Sequence, residues 1–329
     1  MIRRTKSIYL IFFLSILLAL SGCGGGSGGS GGGGGNDDNG SGTGGDFIID
    51  HTCTDLTKIP TEAINNAKEK LVIAYGHTSH GSQLTNGMSG LVTWERGGSL
   101  YSWNSNGAGG ALRLRDFNGN FGGYGIANDL GAPNRTAWAD ATRTYLKDHP
   151  ETNVIIWSWC GQANGTSEEI NTYLNLMSQL ERDFPGVDFV YMTGHLNGTG
   201  IEGNLHQRNE QIRNYCRINK KILYDFADIE TWGPSPSSNN PGDSTVYYGD
   251  KFPTDGCCYD FNNSGSTTYR DEKIPTDGDR NWASDWQNAH TEGTHWYNCS
   301  SAHSVALNAN RKAFAAWWLW ARLAGWDGE

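Results

Sequence analysis

The sequence predicts a doubly wound α/β protein, a three-layer sandwich with a mainly parallel central sheet and long loop insertions. Three observations carry this. Short apolar runs rich in β-branched residues recur at 71–75, 154–159, 187–192 and 222–226, each of a length suited to a buried strand. Segments with helical periodicity separate them. Several runs then stop abruptly in Gly, Ser, His, Asn or Asp, the residues of turns. Alternating strands and helices build a parallel sheet covered on both faces by right-handed crossovers.

The chain begins with a different kind of segment. Arg3, Arg4 and Lys6 precede an apolar stretch at 8–20 that is short for a membrane span and ends in small residues, the pattern of a signal peptide over 1–22. Leu20-Ser21-Gly22-Cys23 resembles the lipobox of bacterial lipoproteins, which implies acylation of Cys23 and attachment to a membrane through lipid alone. Gly24 beside that cysteine is compatible with outer-membrane sorting. The expected location is therefore the cell envelope, on the outer membrane or the periplasmic face. Residues 23–45 are almost all Gly, Ser, Asn and Asp, a flexible tether whose typical reach is roughly 25 Å.

The remaining residues, 46–329, form one expected domain. A helix at 60–70 leads into the 71–75 strand. Thr166-Ser167-Glu168-Glu169 matches a capping box, and Ile170, Tyr173, Leu174, Met177 and Leu180 follow at helical spacing. Further helices are expected at 204–218 and 307–324, the last with Phe314, Trp317, Trp318 and Ala321 on its packing face. Glycine-rich 97–131 and the Pro/Gly/Asn/Ser/Asp-rich stretch 232–294 read as loop insertions.

Composition narrows the partners. A net charge of −10, more acidic still without Arg3, Arg4 and Lys6, disfavours nucleic acid and anionic lipid surfaces. Only 18% of residues are charged, against 45 Gly and 13 Trp, which suits an exported, loop-rich protein. Besides Cys23 there are six cysteines, Cys53, Cys160, Cys216, Cys257, Cys258 and Cys299, an even number from which disulfides are expected in an exported protein. Cys160, at a strand end, reads equally as a free buried thiol. No CxxC spacing supports a structural zinc site.

Chemistry concentrates where the strands end. The first gives Gly76-His77-Thr78-Ser79-His80-Gly81-Ser82, the second Cys160, Gly161, Gln162 and Asn164, and the third Gly194, His195 and Asn197. The fourth gives Asp225, Asp228 and Glu230, and His303 lies just before the last helix. In an open parallel sheet these residues gather along one edge. A serine there needs a base, a group orienting the base, and donors for an oxyanion.

The order Gly76-x-x-Ser79, then Gly161-Gln162-x-Asn164, then a late His303 before a terminal helix resembles the SGNH, or GDSL-type, hydrolase superfamily, which has a flavodoxin-like fold. The resemblance implies Ser79 as nucleophile, its own N–H as an oxyanion donor, and His303 as base. Gln162 or Asn164 takes the place of the oxyanion asparagine. His77, His80 and His195 are candidates for orienting substrate or oxyanion, and Ser82 is the alternative hydroxyl. Gly76-His77-Thr78-Ser79 departs from the literal Gly-Asp-Ser, and Ser300 stands where the family's D-x-x-H has aspartate. Asp225, Asp228 and Asp285 are thus the candidate acids, and Gly122, Gly123 and Gly125 the candidates for the family's oxyanion glycine.

The function implied is ester hydrolysis without a cofactor, with acetylated polysaccharide as the expected substrate class. Two alternatives stand beside it. One is a metal-dependent hydrolase using His77-x-x-His80 with His195, His290, His295 and His303. The other is a non-catalytic surface lipoprotein that binds glycan or protein. The tryptophans at 317, 318 and 320 read as helix packing, while Trp94, Trp103, Trp157 and Trp159 would stack on sugar rings wherever they are exposed.

Overall fold

Seven strands form a single sheet in which every neighbouring pair is parallel. The computed structural model describes residues 47–249 and 282–329, all within one compact unit spanning Gly42–Glu329. The signal peptide, Cys23, the tether, Cys257 and Cys258 lie outside the described residues. In chain order the strands are β1 (Ile48–Ile49), β2 (Val72–His77), β3 (Trp103–Asn104), β4 (Leu112–Asn118), β5 (Val154–Trp157), β6 (Asp188–Met192) and β7 (Leu223–Tyr224). Across the sheet they run β1-β7-β6-β5-β2-β4-β3. β2 lies between β4 and β5, with β3 outside β4 on one side and β5, β6 and β7 following in order on the other, and β1 closes the far edge.

Side chains alternate across the sheet with the strand period of two. Ile73, Tyr75, Val154, Ile156, Val190, Met192 and Tyr224 enter one core, with residues of α1 (Thr61–Lys70), α2 (Ser82–Thr93) and α8 (Ala306–Leu323). Ala74, Ile155, Trp157, Phe189, Tyr191 and Leu223 enter the other, with α3 (Ala137–Asp148), α4 (Ser167–Asp183) and α5 (Asn204–Asn219). Three layers result. Residues 154–157 and 189–192 are apolar or aromatic on both faces because both faces are covered.

The expected capping box is present at α4: Thr166 Oγ1 accepts from Glu169 N, and Glu169 Oε2 accepts from Thr166 N. The 97–131 stretch is not a simple loop. It contains β3 and β4, because Leu112 and Leu114 point into the core while Arg113 and Arg115 pair with Glu151 at the surface. The 232–294 stretch likewise holds β8 (Trp232–Gly233) and β9 (Val246–Tyr247), an antiparallel pair, and α7 (Trp282–Ala289). At the start of α3 the Thr136 side chain makes no cap bond, and Asn134 Oδ1 instead accepts from Thr136 N and Ala137 N.

α8 is buried on all sides, polar residues included. Asn308, Asn310, Arg311 and Lys312 are all fully covered. Arg311 accounts for its own burial by donating to the carbonyls of Trp232, Pro241 and Asp243 and to Ser244 Oγ. One guanidinium thus straps the 232–244 segment over the helix. Short α6 (Phe226–Thr231) completes the region between β7 and β8.

The expected disulfides are not found among the described cysteines. Cys53, Cys160, Cys216 and Cys299 are free thiols. Cys53 belongs to one core and Cys216 to the other, while Cys160 lies beside Ser79. Within the described residues no helix is long and apolar enough to cross a membrane.

Candidate active site

The winding order decides where a crevice opens. β2 has β4 on one side and β5 on the other, and the crossovers to them lie on opposite faces, so the strand ends of β2 and β5 flank a topological switch point. Gly76 pairs with Trp157, and Ser158 N donates to Gly76 O at 2.9 Å. Ser79 and Cys160 each lie three residues beyond that pair. Their Oγ and Sγ atoms are 3.5 Å apart.

The turn carrying Ser79 is pressed hard against the strand ends. A methyl group on Gly81 would meet Ser158 Oγ at 2.2 Å, His77 Cβ at 2.4 Å and Tyr75 Oη at 2.6 Å. Only glycine fits. The Tyr75 hydroxyl donates to Gly81 O, Ser82 N and Ser82 Oγ both donate to Ser79 O, and Thr78 Oγ1 donates to Asp129 Oδ2. Among the described residues no backbone acceptor is found for Ser79 N–H.

His303 reaches this turn from the loop ahead of α8. Its Nε2 lies 2.9 Å from Ser79 Oγ, across 224 residues of chain. The residue is exposed and adopts φ +62°, a left-handed conformation uncommon for a side chain of this size. Backbone strain of this kind costs about 1–3 kcal/mol and persists only where the surroundings impose it.

His80 lies between two other imidazoles. Its ring stacks on His195 with centroids 4.0 Å apart and on His303 with centroids 4.3 Å apart, at interplanar angles of 24° and 15°. Its Nδ1 is 3.2 Å from Cys160 Sγ. Ring-nitrogen lone pairs lie in the ring plane, so stacked, nearly parallel imidazoles do not aim them at one point. That geometry disfavours a shared ion. His290 and His295 belong to a separate group, His290 stacking on Trp286. Among the described residues, the cluster whose ligand-type atoms approach within 4.8 Å of one another is Asp50, His51 and Asp228, and there His51 Nδ1 is already bonded to Asp228 at 2.5 Å.

His77 has a different role from the other imidazoles. It is fully buried, with Nε2 2.5 Å from Asp116 Oδ1 on β4 and Nδ1 2.9 Å from Thr78 O. It ties β2 to β4 beneath the turn. Gln162 is half-buried beside Gly131, and Asn164 is exposed, its Oδ1 accepting from Asn204 Nδ2. Gly122 and Gly123 have positive φ in the turn that follows β4, with Gly125 just beyond.

No protein-family model matches this chain, and neither a curated protein nor a solved structure does.

Two of the three candidate acids are engaged elsewhere. Asp225 accepts two hydrogen bonds from Arg213, at 2.6 and 2.8 Å, and a third from Thr193. Burial works against the Arg213 charge, yet the Asp225 carboxylate holds the guanidinium protonated, above its ordinary range. Asp228 accepts from His51, through both backbone and ring. Burial would raise its carboxyl, but the hydrogen bonds and charge of His51 together bring it below the usual carboxylate value. Asp285 lies in the first turn of α7.

Several groups at the site carry no sequence signature. Asp129 accepts from Thr78 Oγ1 and from Gly131 N, anchoring the loop past β4 to the serine turn. Gln83, Glu230 and Lys312 form a buried polar cluster under His303. The available clue was Lys312 just ahead of the apolar run 313–321, since a charge that enters a packed helix needs a partner. Trp94, Trp157 and Trp159 are buried and offer no platform for a sugar ring, whereas Trp103 is half-buried.

Proposed function

We propose that this chain is a serine hydrolase of the SGNH type that cleaves ester bonds, with acylated carbohydrate as its substrate class. The observation that carries the reading is the 2.9 Å approach of Ser79 Oγ and His303 Nε2 at the switch point of a parallel sheet. Nucleophile and base within hydrogen-bond reach, delivered from opposite ends of the sequence, are what nucleophilic catalysis requires. The strand order around β2 also supports a flavodoxin-like assignment. No cofactor is needed for this chemistry.

In the proposed reaction His303 Nε2 takes the Ser79 proton as Oγ attacks the ester carbonyl. The tetrahedral oxyanion is met by Ser79 N–H and by the side-chain amide of Gln162 or Asn164. His303 then returns the proton to the departing alcohol, and water, activated by the same imidazole, releases the acyl group from Ser79. Loss of one oxyanion donor typically lowers kcat by about 10²–10³. In the same proposal Cys23 is the lipid attachment point, and 23–45 carries the domain away from an envelope membrane.

A fluorophosphonate probe tests the assignment directly. The expected adduct is on Ser79, and Ser79→Ala and His303→Gln are each expected to abolish labelling and to reduce turnover of p-nitrophenyl acetate by at least about 10³-fold. An adduct on Ser82, or turnover that survives both substitutions, overturns the reading.

A further inference from the structure

We infer that Gln83, locked by a buried Lys312–Glu230 ion pair, is the positioning residue that holds His303 against Ser79. The inference rests on the serine-hydrolase reading above. His303 is exposed and left-handed, so the packing of its own ring does not by itself explain the conformation. The peptide that precedes it is gripped instead. Gln83 Nε2 donates to Ala302 O at 2.6 Å, and Gln83 is fully buried in the first turn of α2, four residues after Ser79. One side chain thereby links the serine turn to the histidine loop.

The direction of that amide is set from behind. Lys312 Nζ donates to Gln83 Oε1 at 2.5 Å, so the oxygen faces the lysine and the NH₂ faces Ala302. A flipped amide would set two donors against each other on one side and two acceptors on the other. Lys312 Nζ also pairs with Glu230 Oε1, and both residues have zero exposure. Glu230 extends the grip to both flanks of the imidazole stack. Its Oε2 accepts from Leu196 N, next to His195, and its Oε1 accepts from Asn308 Nδ2, which also donates to Ser304 Oγ, next to His303.

A buried ion pair is a poor device for stability, because desolvation opposes the Coulomb gain and apolar residues of similar volume often serve as well. Its value here is geometric. A fully satisfied buried network admits one arrangement, and it fixes the loops bearing His195 and His303 relative to the turn bearing Ser79. Displacing a catalytic group by about 1 Å can lower the rate about 10²-fold.

The test uses the full-length protein with p-nitrophenyl acetate. Gln83→Met removes both hydrogen bonds at nearly constant volume, and Gln83→Glu keeps the acceptor for Lys312 while placing a carboxylate oxygen against Ala302 O. Both are expected to lower kcat roughly 10- to 100-fold with KM changed less than about threefold, and to slow fluorophosphonate labelling in parallel. Either variant, folded by circular dichroism, with wild-type kcat overturns the inference. A measurement on the wild-type protein covers the case in which both variants fail to fold: the ¹⁵N-labelled Gln83 side-chain NH₂ is expected to exchange as slowly as the interior of α8, and rapid exchange overturns the inference as well. Activity that survives Ser79→Ala and His303→Gln would instead remove the underlying hydrolase reading.

Discussion

Ser79 and Cys160 bring a hydroxyl and a thiol to 3.5 Å from each other, each beside an imidazole. The other described thiols are withdrawn from chemistry by their surroundings: burial pushes Cys53 and Cys216 up and raises Cys299 to about 12. Cys160 is half-buried at the crevice, in contact with His80 Nδ1. Alkylating it would place bulk directly on the serine. Iodoacetamide is therefore expected to slow fluorophosphonate labelling of Ser79 roughly tenfold or more, by displacing the attacking geometry. The Cys160→Ala variant should be insensitive to the same treatment, and equal inhibition of that variant would show the effect to arise at another thiol.

At this scale the sequence revealed residue types at strand ends better than their partners. Ser79, His80 and His195 stand out as punctuation after apolar runs and His303 as a polar residue just ahead of the last helix, and all four meet at one place. His77 stands in the same motif, but its burial at the end of β2 commits it to Asp116 and Thr78. Asp225 and Asp228 sit at a strand end too, yet salt bridges on their own side of the sheet occupy them. Distances between loops depend on topology, which no local pattern encodes.

Elements pack most closely where α2 meets α8. A Cβ on Gly87 would lie 2.0 Å from Ala309 O and 3.0 Å from Ala313 Cβ, so backbone meets backbone with no flexible atom to yield. Gly87→Ala is accordingly expected to destabilise the fold by about 1–3 kcal/mol or more despite its gain in helix propensity. The urea midpoint measures this, and an unchanged or raised midpoint would contradict the packing described. α4 shows why some elements were easy to read: its capping box and its apolar residues at helical spacing specify both its start and its buried face. β4 shows the opposite. Its Leu-Arg-Leu-Arg-Asp alternation is a half-covered strand, but the surrounding glycines obscured it.

For the whole molecule, net stability is small enough that one linked ionisation is measurable. The Asp228 carboxyl is held below its ordinary value of 3.8 in the folded state. A depressed folded value means that the stabilisation is complete above the ordinary carboxylate range and disappears as pH falls through the lower, folded value. Urea midpoints should therefore drop on acidification from pH 6 to pH 3. The drop is expected to be smaller in Asp228→Asn, and an identical acid limb in the variant would remove Asp228 from the linkage. The sheet was the most legible feature at this scale, because a run of apolar strands joined by helices has few alternative topologies. The all-round burial of α8 was not legible, since it depends on Arg311 drawing in carbonyls 68 to 79 residues away.

Because every strand of the sheet points the same way, the molecule has two unlike poles. The crevice occupies the pole where strands finish. Phe47 enters at the other, and the close of α8 returns there: Lys70, just ahead of β2, donates to Ala324 O, and the Arg322 guanidinium lies 4.7 Å over the Phe47 ring. Where the described chain enters and where it leaves are thus neighbours, on the far side from Ser79. A support coupled at either position would hold the body by its base and leave the opposite pole, with Ser79, facing solution.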